Sequence, residues 1–247
     1  MTASHPTESP SVAGIALVSG ADRGLGQGLC AGLLQRGWRV FAGQYMPDWP
    51  ELGELLSRYP DRLHIVPLDV GNTPSVQAAA QAVAASVDHL DLLISNAGIR
   101  GGSGDIREGL DYDHAHRVYD VNSLAAIRLV QAFLPLLDRG ALKRLCFVSS
   151  EAGSIAMSQR TSQFDYCLSK TALNMAVRIM HNDLYGEGYG FRLYHPGWVR
   201  SYMSGAKNPR ATLEPEEAAE MALPIFLGER DEARLTLIDN TGREWPF

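Results

Sequence analysis

Short apolar runs alternate with longer segments of helical periodicity along most of the chain, and this alternation constrains the fold more than any other feature. The runs predict strands at residues 15–18, 39–42, 63–66, 92–94, 145–148, 191–194 and 235–238. Each run is short and continuous, as in strands that are buried on both faces. Parallel neighbours of this kind need a crossover helix between them. We therefore predict an α/β fold with a doubly wound parallel sheet of about seven strands and helices on both faces.

The helical segments carry start and stop signals. The first helix is predicted to run through Gln35, and Gly37 stands where a helix C-terminal glycine belongs. Thr73 is predicted to cap another helix, with Pro74 at its first position, that continues to about residue 87. The remaining helices are predicted at residues 112–137, 164–185 and 214–226. Because no long linker or shift in composition divides the chain, we predict a single domain at residues 14–247, preceded by a disordered polar tail at residues 1–13.

Charge and composition exclude several classes of protein. The net charge of −6 indicates no basic surface for nucleic acid. No continuous apolar run approaches the roughly 18 residues of a membrane span, and the polar tail lacks the basic segment of a secretory signal. The three cysteines, Cys30, Cys146 and Cys167, are too few and too widely spaced for a disulfide framework or a zinc site. We therefore expect a cytoplasmic protein with no metal, nucleic-acid or membrane partner.

A glycine-rich segment joins the first predicted strand to the first predicted helix. Gly20, Gly24 and Gly26 allow a tight turn there and let backbone N–H groups at the helix N-terminus approach a pyrophosphate. The Gly-x-x-x-Gly-x-Gly spacing differs by one residue from the usual dinucleotide fingerprint. The alternative is a turn without a ligand, but the position between strand and helix favours a phosphate site.

Further polar and glycine motifs follow later strands, where ligands bind in sheets of this type. Asp69, before Val70, is placed to accept a hydrogen bond from an adenine amine, or else it is a capping or turn carboxylate. Asn96-Ala97-Gly98 and Pro196-Gly197 are either cofactor contacts or plain loops. Asn122 lies inside a predicted helix, where asparagine is unfavourable, which makes it a candidate functional residue. The alternative is an ordinary solvent-facing side chain.

Tyr166 and Lys170 lie four residues apart, so a helix places both side chains on one face. A phenol keeps its proton up to a pH of ~10, and a neighbouring ammonium favours the phenolate and lowers that pKa. Ser150, after a predicted strand, places a hydroxyl beside the same point. Taken alone, Tyr-x-x-x-Lys is more often an ordinary helix face than an acid–base pair.

The ordered set of these motifs resembles the short-chain dehydrogenase/reductase family, and the resemblance covers residues 15–246. The segment from Ser149 through Lys170, together with Gly153-Ser154-Ile155 and Asn174-Met175, is similar to the carbonyl-reductase branch that is often called sniffer-like. The resemblance implies a Rossmann-type fold and an NAD(P)-dependent oxidoreductase that transfers hydride between nicotinamide and a carbonyl or secondary alcohol.

The resemblance also implies roles for individual residues. Tyr166 would be the general acid or base, Lys170 would lower its pKa and bind the nicotinamide ribose, and Ser150 would hold the substrate oxygen. Asn122 would hold a water that connects Lys170 to solvent. The residues expected at the cofactor are Gly20, Arg23, Gly24, Leu25, Gly26, Asp69, Val70, Asn96, Ala97, Gly98, Tyr166, Lys170, Pro196, Gly197, Val199 and Ser201.

The choice of cofactor depends on residues near the second strand. An acidic residue at its end would select NAD, whereas this chain has Gly43-Gln44-Tyr45. Arg23 lies in the glycine turn, where related enzymes use a basic residue for the 2′-phosphate, although an exposed turn residue is the alternative. The expected cofactor is therefore NADP, with NAD possible.

Pocket and assembly expectations follow from the same motifs. Apolar and aromatic candidates for the lining are Ile99, Met157, Phe164, Trp198, Tyr202 and Met203. They suit a ketone, aldehyde or secondary alcohol with an apolar body. The glycines of residues 101–104 predict a mobile pocket edge. The gap between Ser150 and Tyr166 is a few residues longer than in many members, which indicates a loop insertion. The family implies a homodimer or homotetramer built on the helices at 112–137 and 164–185.

Two other functions remain open at this point. A non-catalytic dinucleotide-binding sensor or interaction protein would have the same fold, but it would not need the set Asn122, Ser150, Tyr166 and Lys170. An epimerase or dehydratase acting on sugar nucleotides would need a C-terminal substrate domain, for which little chain remains after the sixth strand.

Overall fold

Eight strands form one sheet in a computed structural model of the protein, which describes residues 12–102, 104–203 and 207–247. Their order is β3-β2-β1-β4-β5-β6-β7-β8. The strands are β1 (Ile15–Val18), β2 (Arg39–Gln44), β3 (Leu63–Pro67), β4 (Leu92–Ser95), β5 (Arg144–Val148), β6 (Gly190–His195), β7 (Leu237–Asp239) and β8 (Glu244–Trp245). The first seven pair in parallel, and β8 runs antiparallel to β7. The predicted doubly wound α/β class is confirmed.

Helices cover both faces of this sheet. They are α1 (Gly24–Gln35), α2 (Glu51–Arg58), α3 (Thr73–Ala84), α4 (Tyr112–Tyr119), α5 (Ala125–Leu137), α6 (Phe164–Leu184) and α7 (Pro215–Leu227). The apolar residues of α1, α2 and α7 pack in one cluster against the sheet. Those of α3, α5 and α6 pack in a second cluster on the opposite face.

The strands divide their side chains between the two clusters. Ala16 and Val18 of β1 belong to the cluster of α1, whereas Leu17 belongs to that of α5. Successive strand residues point to opposite faces, so a strand covered on both sides must be apolar at every position. All four residues of β1 are buried. This requirement explains why the strands appear in the sequence as continuous apolar runs.

The strand order places the candidate site. The chain moves from β1 outward to β2 and β3, then crosses back so that β4 pairs with the other edge of β1. The connections after β1 and β4 therefore leave the sheet in opposite directions, and a crevice opens between them at the carboxyl ends of the strands.

Several elements differ from the sequence prediction. Thr73 begins α3 instead of capping it, because the Asn72 side chain accepts a hydrogen bond from Ser75 N at 3.0 Å and takes the cap position. The predicted helix at 112–137 is interrupted by a π-turn at Asp120–Leu124. Helix α2 and the short strand β8 were not predicted. Leu52, Leu55 and Leu56 stand at helical spacing in α2, so that helix had a signal that was overlooked, whereas the two residues of β8 are too few to show a pattern.

The segment Tyr112–Leu137 is also the one part of the described chain whose length and apolar character would allow a membrane span. Half of its most apolar window is buried inside the protein, where α5 contributes Leu129 and Phe133 to the core. The predicted disordered tail falls mostly on residues 1–11, which lie outside the described residues, and Ala13 N donates to Gly37 O at 3.2 Å.

We expect Asp91 to be important for stability. Its buried carboxylate accepts hydrogen bonds from Ile15 N at 2.9 Å and Ala141 N at 3.0 Å, which joins the starts of β1 and β4 to the segment before β5. Asp91→Ala leaves two backbone donors without their acceptor and should lower the free energy of unfolding by about 3 kcal/mol. Urea denaturation measures this, and the exposed Asp88→Ala should change it by less than about 0.5 kcal/mol. Equal effects of the two substitutions would contradict this account of Asp91.

Candidate active site

The glycine turn after β1 is built so that a ligand can approach the backbone. Gly20 and Gly24 have φ values of +62° and +59°, in the left-handed region that glycine adopts without strain. A Cβ added to Gly26 would lie 2.1 Å from Gly20 O, so no other residue fits there. The side chain of the N-cap residue Arg23 makes no capping hydrogen bond within the described structure. The first-turn N–H groups of α1 are therefore available to an anion.

Asn96 ties the end of β4 to this turn. Its Nδ2 donates to Ser19 O at 2.9 Å and to Gly20 O at 3.0 Å. The Ser19 hydroxyl in turn accepts hydrogen bonds from Asn96 N and Ala97 N, both at 3.1 Å. The side chain of Asn96 thus fixes the shape of the turn, and the predicted contact of this motif with a cofactor stays a prediction.

Asp22 braces the far side of the turn, a feature that the sequence analysis missed. Its carboxylate is buried and accepts from Tyr45 N at 2.9 Å and Met46 N at 2.6 Å, just beyond the end of β2. A lone Asp within a glycine motif carries no sequence signal for such a contact. The β2 end and the glycine turn are thereby held side by side.

The residues predicted near an adenine lie at the end of β3. Asp69 Oδ1 accepts a hydrogen bond from Gly71 N at 2.9 Å, whereas Oδ2 has no hydrogen-bond partner among the described residues. Val70 is buried and its carbonyl accepts from Arg128 Nη1 at 2.7 Å. Asp69 therefore acts as a turn carboxylate and still has one oxygen available to a ligand.

Asn122 lies in the π-turn between α4 and α5 and is buried, so the solvent-facing alternative does not hold. Its Oδ1 accepts from Ile99 N at 2.8 Å, and its Nδ2 donates to Ile99 O and Ser169 Oγ, both at 3.0 Å. The extra residue of the π-turn directs this amide inward. It links the segment after β4 to helix α6, which carries Tyr166 and Lys170.

The two adjacent serines after β5 have different surroundings. Ser149 Oγ donates to Asn174 Oδ1 at 2.6 Å and is buried against α6. Ser150 Oγ accepts from Ala152 N at 3.1 Å and donates to Glu151 Oε2 at 2.6 Å. The Ser150 hydroxyl also lies close enough to Tyr166 to act on its pKa through a hydrogen bond. Of the two hydroxyls, that of Ser150 is the one beside the phenol.

Lys170 is buried beneath Tyr166. Its Nζ donates to Val148 O at 3.0 Å and lies 5.8 Å from the centre of the Tyr166 ring. A Cβ added to Gly98 would lie 3.8 Å from this nitrogen, an ordinary contact distance, and 3.2 Å from Asn122 Oδ1, where it would be crowded. Burial disfavours the charged amine and lowers the pKa of Lys170 to about 8.

The sequence-based expectation for the pKa of Tyr166 is wrong for the protein alone. Burial raises the pKa of this phenol above its usual value, and the neighbouring Glu151 carboxylate adds to the rise. The nearby Ser150 hydroxyl and the Arg160 cation act in the opposite direction, but burial is the larger effect. Tyr166 is consequently protonated at neutral pH and is suited to donate a proton.

A charged group beside Ser150 was also missed. Glu151 forms an ion pair with Arg160, from the segment before α6, and its Oε2 lies 3.6 Å from His195 Nε2 at the end of β6. Its hydrogen bonds to Ser150 and Arg160 hold its pKa below the usual value despite burial. Burial lowers the pKa of His195. The predicted loop insertion between Ser150 and Tyr166 is thus tied to the site by an internal ion pair.

The glycine segment after β4 is anchored to the start of α6. Gly102 N donates to Asp165 Oδ2 at 2.5 Å, and Tyr166 N donates to Asp165 Oδ1 at 2.7 Å. Asp105 and Ser162 form an isolated antiparallel bridge nearby. A cavity of about 120 Å³ lies between these segments. Ser103 lies outside the described residues, and the predicted mobility of this pocket edge stays a prediction.

The segment after β6 reaches back to the glycine turn. Gly197 has a φ of +75°, and Val199 pairs with Leu213. Ser201 Cβ lies 4.0 Å from the position of a Cβ added to Gly24. This segment therefore brings the residues after Pro196-Gly197 over the same crevice, although residues 204–206 lie outside the description.

The predicted apolar pocket is only partly assembled. Met157, Trp198 and Met203 are exposed, and Phe164 lies at the cavity near Asp165. Tyr202 instead packs edge-on against Trp49 with ring centres 5.0 Å apart, on the side of the glycine turn. Across the part of the chain that the structure describes, no three His, Cys, Asp or Glu side chains are grouped as metal ligands.

Comparison with known proteins agrees with this geometry. Residues 14–212 match the profile of short chain dehydrogenases. The C-signal protein of Myxococcus xanthus is 38% identical over 161 residues, which is 64% of this chain and 93% of that protein.

Two solved structures are similar over nearly the whole chain. The NADPH-bound carbonyl reductase from chicken fatty liver is 31% identical with a TM-score of 0.84, covering 96% of this chain and 100% of that chain. The carbonyl reductase Sniffer of D. melanogaster has the same TM-score and coverage, and at 23% identity it is similar in fold. The predicted resemblance is confirmed. Because the family profile matches most of its length, the protein belongs to the short-chain dehydrogenase/reductase family of oxidoreductases.

Proposed function

We propose that the protein is an NADP-dependent carbonyl reductase in which Tyr166 exchanges the proton with the substrate oxygen. One observation carries the proposal: a protonated phenol, a serine hydroxyl and a buried lysine converge at the end of β5, beside a glycine turn with available N–H groups. A module that only binds a dinucleotide has no need to bury a lysine amine against a single carbonyl, which disfavours its charged form.

The crevice fits a dinucleotide. The turn of Gly20, Gly24 and Gly26 with the start of α1 would hold the pyrophosphate, and Leu25 would pack beneath it. Asp69 Oδ2 and Val70 would meet the adenine. Residues 96–98 and Lys170 would lie beside the ribose of the nicotinamide, and Pro196, Gly197, Val199 and Ser201 would cover the nicotinamide half.

The preference for NADP rests on charge. The residue at the end of β2 is Gln44, which has no carboxylate to bind a ribose 2′-hydroxyl. Arg23 forms no ion pair with any described carboxylate and stands at the glycine turn. The chicken reductase, at 31% identity, is an NADPH-bound protein.

The bound nicotinamide would supply the hydride, and the chain's own residues would manage the proton. Tyr166 would donate its phenolic proton to the substrate oxygen as negative charge develops there. The Lys170 ammonium beneath the ring would stabilise the resulting phenolate. Asn122 would position a water through which the proton is replaced. The substrate would be a small ketone or aldehyde, or a secondary alcohol in the reverse direction.

Ser150 has one hydroxyl proton, which in the protein alone is donated to Glu151. To donate a hydrogen bond to a substrate oxygen, this hydroxyl would have to turn away from Glu151. The ion pair with Arg160 would stabilise the carboxylate after that turn. Substrate binding would therefore rearrange one hydrogen bond and leave the charged pair intact.

We also propose a cytoplasmic homo-oligomer. Leu168, Met175 and Ile179 are 61%, 60% and 60% exposed on α6. Their spacing of 7 and then 4 residues places them on one face of the helix. A row of large apolar side chains on one helix face is typical of an interface. A dimer or tetramer through α6 would bury it.

We expect Tyr166→Phe to remove the reductase activity without loss of cofactor binding. Binding to the wild-type protein should change the nicotinamide fluorescence of NADPH. The wild type should also oxidise NADPH in the presence of a panel of ketones and aldehydes. The variant lacks only the donated proton, so its turnover should fall at least about 100-fold.

The matched control is Tyr185→Phe, which removes a half-exposed hydroxyl beyond the other end of α6. Binding of NADPH by the wild type with no turnover on the panel would favour the non-catalytic sensor. Binding of neither nicotinamide would overturn the proposal.

The pKa of Lys170 predicts a pH-dependent stability. The folded pKa of about 8 lies below the usual value of 10.5, so between these values the unfolded chain binds more protons. Stability from this group therefore rises with pH across that window. Relative to Lys170→Met, the wild type should gain about 2 kcal/mol between pH 7.5 and 9.5.

Urea denaturation of both proteins at the two pH values measures this gain. Other titrating groups are present in both chains and cancel in the difference. A difference that does not change with pH would show that Lys170 keeps an ordinary pKa when folded.

We expect Ile179→Glu to dissociate the oligomer, because it would place a carboxylate in the apolar contact between helices. Light scattering coupled to size exclusion measures the mass of each form. Ile106→Glu, at a 79% exposed position in a loop, is the control and should keep the wild-type mass. A monomeric wild-type protein would contradict the proposed assembly.

A further inference from the structure

Three segments meet around the side chain of Arg23. The guanidinium carbon lies 4.2 Å from the centre of the Trp49 ring, in the segment after β2, and 5.3 Å from that of Tyr202, in the segment after β6. The two rings themselves meet at 68° with centres 5.0 Å apart. The planar cation is thus stacked on one ring and bordered by another, at the mouth of the proposed cofactor crevice.

The charge of Arg23 is not neutralised by any carboxylate in the part of the chain that the structure describes. The adjacent Asp22 directs its carboxylate to Tyr45 N and Met46 N, and no described carboxylate forms an ion pair with the guanidinium. Its one described hydrogen bond, from Nη2 to Tyr202 O, is long at 3.5 Å. Stacking uses the flat face of a guanidinium and leaves the N–H groups at its edge, so these donors are available to an anion.

Trp49 is held in a way that serves this stack. Its backbone N–H donates to Met46 O at 3.2 Å, directly before Pro50 and helix α2. Its indole Nε1 is buried and has no hydrogen-bond partner among the described residues. Burial of an unpaired N–H costs stability, so the position of this ring is not explained by its own hydrogen bonding. The aromatic and cation contacts that its ring makes are with Tyr202 and Arg23.

We propose that Trp49 is a positioning residue that determines cofactor selectivity: its indole holds the Arg23 guanidinium in place for the 2′-phosphate of NADP. This inference rests on the proposed function and deepens it. An arginine free to rotate would lose side-chain entropy when it binds a phosphate, whereas a stacked one has lost that entropy already. This smaller entropy loss favours only a cofactor that carries the 2′-phosphate. Trp49 therefore strengthens NADPH binding and leaves NADH binding unchanged.

The test is the ratio of the dissociation constants for NADPH and NADH, measured by nicotinamide fluorescence without substrate. Trp49→Met keeps apolar bulk and removes the aromatic face, and it should weaken NADPH binding about five-fold with no change for NADH. Trp49→Phe restores an aromatic face and should recover most of the selectivity. A purely structural role for Trp49 would weaken both cofactors alike and would overturn the proposal.

A double-mutant cycle shows whether Trp49 acts through Arg23. In an Arg23→Ala background, Trp49→Met should have no further effect on the NADPH to NADH ratio. An undiminished effect in that background would overturn the proposal. Tyr59→Leu, which removes a ring stacked with Arg62 near the start of β3, is the matched control and should leave both constants unchanged.

The remaining outcomes separate this inference from the proposed function. If Trp49→Met does not fold, Arg23→Lys reports on the same contact, because an ammonium has no flat face to stack, and it should lose selectivity to a similar extent. If the wild type prefers NADPH and neither Trp49→Met nor Arg23→Lys changes that selectivity, the role of Trp49 is overturned and the proposed function still stands. A wild type without any preference for NADPH would overturn the role of Arg23 and, with it, this proposal.

Discussion

The hydrogen bonds of Asn96 to the glycine turn are the interaction on which the rest of the site depends. They fix the distance between β1 and β4 at the point where the strand order reverses. The segment after Asn96 then meets Asn122 through Ile99, and Asn122 meets Ser169 of α6. A continuous set of hydrogen-bonded polar groups, of which Asn122 and Ser169 are buried, thus connects the proposed pyrophosphate end to the helix that carries Tyr166 and Lys170. Such networks specify one arrangement, because any unpaired member would be costly.

Burial sets the electrostatics of the site. It raises the pKa of Tyr166 and lowers that of Lys170 to about 8, so at neutral pH the phenol is protonated and the amine still carries its charge. Glu151 and Arg160 then bring one charge of each sign beside Ser150, in an ion pair that adds no net charge. A protonated phenol above a buried amine is suited to proton donation. A bound anionic dinucleotide would favour the charged form of Lys170, and the charged lysine would in turn favour the phenolate form of Tyr166.

On the adenosine side of the crevice, two adjacent charged residues are held by separate contacts. Asp22 is turned toward backbone N–H groups, and the guanidinium of Arg23 lies over the Trp49 ring and beside that of Tyr202. Adjacent residues of opposite charge are thereby kept apart. The carboxylate fixes the end of β2, and the cation is left for a ligand. The segment after β6 takes part in this arrangement through Tyr202, which links the two halves of the cofactor crevice.

The sequence by itself determined the fold class, the succession of strands and helices along the chain and the position of each motif at a strand end. It could do so because strands covered on both faces must be apolar throughout, and glycine is required where a Cβ would collide, as at Gly26. Only the tertiary structure decided which groups meet. The inward turn of Asn122, the different hydrogen bonds of Ser149 and Ser150, the position of the Glu151 carboxylate and the stack on Trp49 all join residues distant in sequence or depend on one local rotation. The pKa of Tyr166 was predicted wrongly for the same reason: a neighbouring lysine is visible in the sequence, whereas the burial that outweighs it exists only in the folded chain.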